Sequence, residues 1–395
     1  MGMAGGSASK NMKIGIDIRN IGKGRTGDEV VFFNLVKNLQ EIVREEKQEE
    51  GDFLLFTDIA DKSKLKEIEK DLGITKGDGF KIISLPSKNK FVWNFWTLPN
   101  YLRKYPVDIF HTQYITPFFV SRKTKIVTTL HDVSFRVHKE FIKKTDLFFL
   151  NILIPLSIRR ADKVIAVSQF TKDEIVKYYA VNPEKVAVVR NSVADNFKRK
   201  LSNEELAEVK KKYNLPDEFV MYLGTLQPRK NIALLAEAYA RIKKDVPGVK
   251  LVLVGNRKSH NFDQKIDEVI KKEKLQEDVI FPGYVDEKDK PAIFRLAKIF
   301  AFLSLYEGFG IPILEAMSQD VPVLASDIPV LREVGGNGCS FAPAENLDEI
   351  SKKMYNLIID NNLRDELILS GKGQLEKFSW MKSAQKMLEI YQKLI

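Results

Sequence analysis

Glu307 and Glu315 stand eight residues apart in LYEGFGIPILEA, with Gly308-Phe309-Gly310-Ile311-Pro312 between them. The run follows a strand-like segment, KIFAFLS, and leads into ILEAM, which reads as a helix. Glycines let backbone amides approach a ligand closely, and a proline at the first helical turn is preorganised for the helix. The unpaired N–H groups and the helix dipole then favour an anion. A carboxylate on each side can accept paired hydrogen bonds from sugar hydroxyls. Glu315, expected in the first helical turn, suits a ribose diol, and Glu307 suits a second sugar. This spacing fits a phosphate group that carries a sugar at each end. The plainer reading is an acid that stabilises a helix and another that is solvated.

A second candidate lies in LGTLQPRKN, residues 223–231. An apolar strand ends at Gly224-Thr225, and a loop brings Arg229 and Lys230 to a helix start. Two cations there oppose the helix dipole. A bound diphosphate would remove that conflict, and the pair would stabilise charge developing on a leaving group. Two solvated basic side chains are the alternative. His131, in TTLHDVSF, follows a strand and so stands at a carboxyl edge, where ligands bind. His111 ends VDIFH in the same way, and a histidine in either place is as readily structural. Arg25-Thr26-Gly27, after the first strand, is a loop within reach of the same ligand. No Asp-x-Asp pair offers a metal clamp, and no HExxH, GxxxxGK[ST] or G-x-S-x-G run occurs. Metalloprotease, P-loop and serine-hydrolase chemistries therefore lack their residues.

These residues need rigid elements to bring them together. Apolar, β-branched runs at 12–18, 53–57, 80–84, 107–111, 125–130, 163–167 and 185–189 read as buried parallel strands. Helical periodicity lies between them at 28–46, 62–72, 91–104, 139–160 and 171–179. A charged stretch at 191–216 interrupts the alternation. It restarts with strands at 219–224, 249–255, 278–283, 298–304 and 321–326, and helices at 232–244, 262–274, 288–296, 313–318 and 347–357. Helices near 363–377 and 381–394 close the chain. Alternation twice over predicts two doubly wound α/β domains that face each other across a ligand cleft. The expected division is a disordered start or tag at 1–11, a first domain at 12–195, a linker at 196–217, a second domain at 218–380 and a closing helix at 381–395.

The chain has 395 residues and a net charge of +10, of which about +7 falls in residues 11–195. A basic half could meet nucleic acid, acidic lipid or a phosphorylated substrate, or could be a lysine-rich surface. A single cysteine, Cys339, allows no internal disulfide and suits a reducing cytoplasm. No apolar run reaches the roughly 18 residues of a membrane span. FVWNFW (91–96), with Tyr101, Arg103, Lys104 and Tyr105, mixes aromatics with cations. Its aromatics, like Phe148, Phe149 and Leu150, are expected to pack in the core; contact with a membrane surface is the alternative.

With these motifs in place, the chain resembles the large family 4 of retaining glycosyltransferases (GT4), which have the GT-B fold of two facing Rossmann-like domains. The resemblance spans nearly all of residues 13–395. EGFGIPILE is similar to that family's acid–seven–acid motif, and LGTLQPRKN to its phosphate-binding segment. ADKVIAVSQFTKDEI, VVRNSV, FPGYVD and the closing FSWMKSAQKMLEIY also resemble family segments. DIFHTQYITPFF and KIVTTLHDVSFRVH look like the mannosyltransferase branch that builds bacterial polysaccharides.

The resemblance implies a set of roles. Arg229 and Lys230 bind the donor diphosphate. Glu307 holds donor-sugar hydroxyls beside the amides of Gly308, Phe309 and Gly310, and Ile311 follows in the same loop. Glu315 binds the ribose, His131 approaches the reacting carbon, and Tyr284 and Val285 lie near the base. Gly224, Thr225 and Gly27 complete the donor site. The implied reaction moves a hexose, mannose from GDP-mannose first, without a metal or other cofactor. The acceptor is a glycan or lipid-linked molecule, and no nucleic acid is involved. A UDP-sugar enzyme of the same fold, or a non-catalytic module binding a polyanion or membrane, are the alternatives. The implied place is the cytoplasm, extending to peripheral contact with an anionic membrane at its inner face. One departure stands out: the branch's Thr-Gly-x-Gly loop reads Thr26-Gly27-Asp28-Glu29 here, so Glu29 must point away from a diphosphate or meet a hydroxyl or a cation.

Overall fold

The computed structural model describes residues 12–24, 27–45, 52–258 and 261–395. The opening segment 1–11, Arg25, Thr26 and Glu46 lie outside the described residues. The first sheet has seven strands: β1 (Lys13–Asp17), β2 (Asp52–Thr57), β3 (Phe80–Ser84), β4 (Ile109–Gln113), β5 (Lys125–Leu130), β6 (Lys163–Ala166) and β7 (Val186–Val188). The second has six: β8 (Glu218–Leu223), β9 (Val249–Val254), β10 (Val279–Gly283), β11 (Ile299–Phe302), β12 (Val323–Ser326) and β13 (Cys339–Ala342). Their orders are β3-β2-β1-β4-β5-β6-β7 and β10-β9-β8-β11-β12-β13. The pairings are parallel in both. β13 and the helix Pro329–Gly335 before it were not expected. GNGCSFA is too short and too rich in small residues to show a strand's alternation.

Parallel sheets covered on both faces favour mostly apolar strands, and central ones fit: every residue of β11, and all but the first of β8, are buried. In each sheet the strand order reverses once, between β1 and β4 and between β8 and β11. Ligand crevices open at such switch points, beyond the carboxyl ends of the strands. The loops after β1, β5, β8, β10 and β11 therefore face one interdomain cleft.

The last helix, Trp380–Gln392, crosses back to the first domain. Trp380, Ala384, Met387, Leu388, Ile390 and Tyr391 join the core built by β1 and the Gly27–Glu45 helix. His111 serves this junction. Its Nδ1 shares a 2.6 Å hydrogen bond with the Tyr391 hydroxyl, and its Nε2 lies 2.7 Å from Thr129 Oγ1. Burial, with His131 nearby adding to it, pushes the His111 imidazole down to about 3, so the ring is neutral.

The aromatic stretch corrects the expectation of a core helix. Trp93, Leu98 and Leu102 are buried, but Phe91, Val92, Tyr105 and above all Trp96 (69%) are exposed. A π-helical turn, Trp93–Thr97, breaks the regular period and rotates Trp96 outward. The helix Lys144–Arg160 likewise presents Phe148, Phe149, Ile152 and Leu156 to solvent, while Leu153, Ile154 and Ile158 face inward.

Candidate active site

The cleft between the sheets has a volume of about 640 Å³. On the second-domain side β8 ends at Leu223, and Gly224 and Thr225 begin the loop to Arg229 and Lys230. A tight turn, Pro228–Lys230, is held by Asn231 at φ 60° and by the Arg229 carbonyl, which accepts from Leu305 N–H at 2.8 Å. That bond ties the basic pair to the loop carrying Glu307.

Glu307 is the hinge of the charge arrangement. Its carboxylate accepts from Lys230 Nζ, and Arg229 Nη1 lies 3.4 Å from its other oxygen. Lys230 and Glu307 are both buried. Burial opposes ionisation of Glu307, but Lys230 and Arg229 together outweigh it and hold the carboxyl below its usual range. A diphosphate laid against Arg229 and Lys230 would compete for both cations and leave Glu307 to hydroxyl groups.

The loop after Glu307 reaches across the domain boundary. A side chain at Gly308 would run into the His131 carbonyl oxygen and crowd Asp132, so only glycine permits the approach. The Gly308 carbonyl accepts from Ser168 Oγ at 2.7 Å and Thr171 Oγ1 at 2.9 Å, both at the start of the first-domain helix Gln169–Tyr179. Glu333, from the second domain, accepts from Gln169 N–H and Phe170 N–H at the same helix end. Phe309 is buried against Phe378. Gly310, at φ 107°, opens the helix Ile311–Ser318, whose first residues Ile311 and Pro312 line the cleft; Pro312 has no N–H and Ile313 N–H donates to the Gly310 carbonyl, which leaves the loop amides up to Ile311 for a ligand.

Glu315 lies one turn further into that helix than expected, at its fifth residue, and is buried. Burial pushes its carboxyl up to about 7; Lys290 opposes the shift and Glu287 adds to it. Lys290 Nζ pairs with Glu287 Oε1 at 2.6 Å. These two cleft residues escaped the sequence reading, because DEKDK after FPGYV looks like a solvated turn. Val285 is buried beside them, and Tyr284 stands exposed at the rim. Between about pH 4.5 and 7 the folded Glu315 keeps a proton that the unfolded chain has released. Stability therefore falls as pH rises through that window, by up to about 3 kcal/mol from this group. Glu315→Gln is expected to raise the melting temperature relative to wild type near pH 8 but not near pH 5, and to weaken nucleoside diphosphate binding. An unchanged pH dependence of melting in the variant would place the titrating group elsewhere.

On the first-domain side Gly27 and Asp28 begin the Gly27–Glu45 helix and line the cleft. Glu29 turns away: it is buried, and its carboxylate accepts from Gly22 N–H at 2.7 Å. Its carboxylate thus braces the preceding loop. His131 does face the cleft, with Nε2 2.9 Å from Gln113 Oε1 and Nδ1 3.7 Å from Asp28 Oδ1. The residues named from sequence, His131, Gly27, Gly224, Thr225, Arg229, Lys230, Tyr284, Val285 and Glu307 to Ile311 with Glu315, line this one cleft, whereas His111 lies beneath it. Among the described residues no group of three or more His, Cys, Asp or Glu is placed to hold a metal ion.

Two facing doubly wound sheets with an anion-ready loop between them define a GT-B glycosyltransferase. Residues 37–197 match the family model "Glycosyltransferase Family 4" and residues 203–374 match "Glycosyl transferases group 1". The chain belongs to this family of glycosyltransferases and is an enzyme. O-antigen chain mannosyltransferase B of Escherichia coli is 28% identical over 295 residues, 74% of this chain and 76% of that one. Serotype-specific mannosyltransferase WbdA of the same organism is 30% identical over 277 residues, which are 69% of this chain but 34% of WbdA. Among solved structures, HepE of Anabaena, in complex with UDP and glucose, superposes with a TM-score of 0.73 at 18% identity, covering 97% of this chain and 100% of that one.

Proposed function

We propose that the enzyme transfers mannose from GDP-mannose, with retention of anomeric configuration and without a metal, to a glycan or lipid-linked acceptor. The observation that carries the donor side is Glu307 held between Arg229 and Lys230, beside the loop amides up to Ile311. The diphosphate lies against those cations and amides, which stabilise it as it departs. Glu307 then grips hydroxyls of the sugar, and Glu315 those of the ribose. Front-face attack needs no enzyme nucleophile, only charge stabilisation and positioning.

Glu287 supports guanine as the base. A carboxylate offers two adjacent acceptors, matching the two donors N1–H and N2–H on guanine's edge. Uracil has a single N3–H between two carbonyls that a carboxylate repels. The mannosyltransferases among the relatives support mannose as the sugar. The second reading, a UDP-sugar donor, draws on the HepE complex with UDP and glucose. Transfer and hydrolysis assays with a panel of labelled nucleotide sugars, with and without EDTA, decide between them. GDP-mannose is expected to be used best, with EDTA leaving the rate nearly unchanged. Preference for a UDP-sugar overturns the donor assignment, and inhibition by EDTA that magnesium restores overturns the metal-free mechanism.

The exposed rings of the first domain support a membrane-borne acceptor. Phe91 and Phe149 meet at 5.2 Å, Phe148 adjoins Phe149, and Trp96 stands free nearby in the chain, with Lys88, Lys90 and Lys144 flanking them in sequence. Aromatics with flanking lysines suit an anionic bilayer surface. No described helix is long and apolar enough to cross a membrane. Co-sedimentation with phosphatidylglycerol vesicles is expected to fall strongly in the double variant Trp96→Ser, Phe148→Ser and to weaken with salt. Equal sedimentation of variant and wild type would remove the membrane from this reading.

A further inference from the structure

We propose that Tyr306 is a positioning residue whose ring, seated in the first domain, sets Arg229 and Glu307 in their working geometry when the two domains close. The inference rests on the donor assignment above. Tyr306 follows β11 and so belongs to the second domain, yet its ring is only 4% exposed and sits in a first-domain core with Val133, Phe135 and Ile175. Among the described residues, every other buried member of that core comes from the first domain. The rings of Phe170 and His138 pack against it, with centroids 5.8 and 5.6 Å away. Its hydroxyl accepts from Val133 N–H at 3.4 Å.

The backbone of the same residue serves the donor site. The Tyr306 carbonyl accepts from Arg229 Nη1 at 3.1 Å, and the Arg229 carbonyl accepts from Leu305 N–H at 2.8 Å. The next residue is Glu307, which pairs with Lys230. Beyond it, Gly308 lies against the His131 carbonyl. Glu307 therefore stands between two contacts with the segment 131–133, one made by Tyr306 and one by Gly308. A first domain that swings away withdraws the seat of the Tyr306 ring and releases the loop that carries Glu307 and steadies the Arg229 guanidinium. Such a release affects chemistry more than binding. The attraction of two cations for a diphosphate declines gradually with distance, whereas a misplacement of about 1 Å at a reacting centre costs roughly 100-fold in rate.

The test uses the donor that the nucleotide-sugar panel selects and calorimetry with the matching nucleoside diphosphate. In Tyr306→Ala, kcat is expected to fall roughly 100-fold while the Kd rises no more than about tenfold. A calorimetric stoichiometry equal to that of wild type is expected, since the variant is folded. Tyr306→Phe keeps the ring and loses one long hydrogen bond, so kcat is expected to return to within about threefold of wild type. Phe170→Ala is expected to slow turnover alone and to add little to Tyr306→Ala, because both remove the same contact. Stoichiometry that falls in step with kcat would make Tyr306 a merely structural residue and overturn the proposal. So would a Kd that rises as much as kcat falls, Tyr306→Phe as slow as Tyr306→Ala, or losses that multiply in the double variant. Wild-type enzyme that binds no nucleoside diphosphate sinks the donor assignment instead. Wild-type enzyme that binds it, with turnover unchanged in Tyr306→Ala, sinks this inference alone.

Discussion

Lys230→Ala is expected to lower turnover roughly 10²–10³-fold, the range seen when a preorganised charge stabiliser is removed from a reacting group. Its effect on folding is expected to be smaller. Removing one partner of a buried ion pair leaves the other charge uncompensated, which costs about 3–5 kcal/mol when nothing else is near. Here Arg229 remains 3.4 Å from Glu307 and limits the damage. The double variant Lys230→Ala, Glu307→Gln separates the two effects. With both charges gone, stability is expected to recover toward wild type, since a buried pair contributes little net stability. Turnover is expected to stay low, because the cation for the departing diphosphate is still missing. Denaturant unfolding and steady-state kinetics on the two variants check this. Recovery of turnover together with stability would make Lys230 a structural residue.

Gly308→Ala is expected to lose roughly 10²-fold or more in kcat/KM, since a displacement of about 1 Å at a reacting centre has that effect. The added methyl would strike the His131 carbonyl oxygen and Asp132, so the Glu307 loop and the first domain must separate. The bonds from Ser168 and Thr171 to the Gly308 carbonyl would stretch with it. The second domain's core is built mainly from its own strands and helices, with Val167 and Val193 of the first domain joining it. Near-UV circular dichroism should therefore stay native-like while activity falls and small-angle scattering reports a more open molecule. Wild-type turnover in this variant would show that the close contact across the cleft plays no part in catalysis.

The two loops of the second domain were legible because their signal is local. A strand, a glycine-bearing loop and a helix start follow one another within a dozen residues, so EGFGIPILE and LGTLQPRKN show where amides, cations and acids will stand. The order of strands and helices was legible for the same reason: buried parallel strands read as apolar runs. What stayed hidden depends on contacts between distant segments. Ser168, Thr171 and Glu333 are ordinary polar residues until the domains meet. Asp28 and Glu29 are adjacent acids, yet one faces the cleft and the other braces a loop behind it. His131 and His111 both belong to strand ends by pattern, but β4 runs two residues further than VDIFH suggests, which leaves His111 inside the sheet and under the closing helix. The aromatics at 91–105 were misplaced because a π-helical turn breaks the period on which such assignments rest.

The central claim is that a diphosphate lies between the Arg229–Lys230 turn and the loop 308–311, with an acid at each flank for its sugars. A crystal structure with bound nucleoside diphosphate tests this most directly. The account predicts phosphate oxygens within hydrogen-bond distance of Lys230 Nζ, the Arg229 guanidinium and the backbone amides of the loop, with Glu315 on the ribose. Phosphates seated elsewhere, or a ribose that does not touch Glu315, would contradict it.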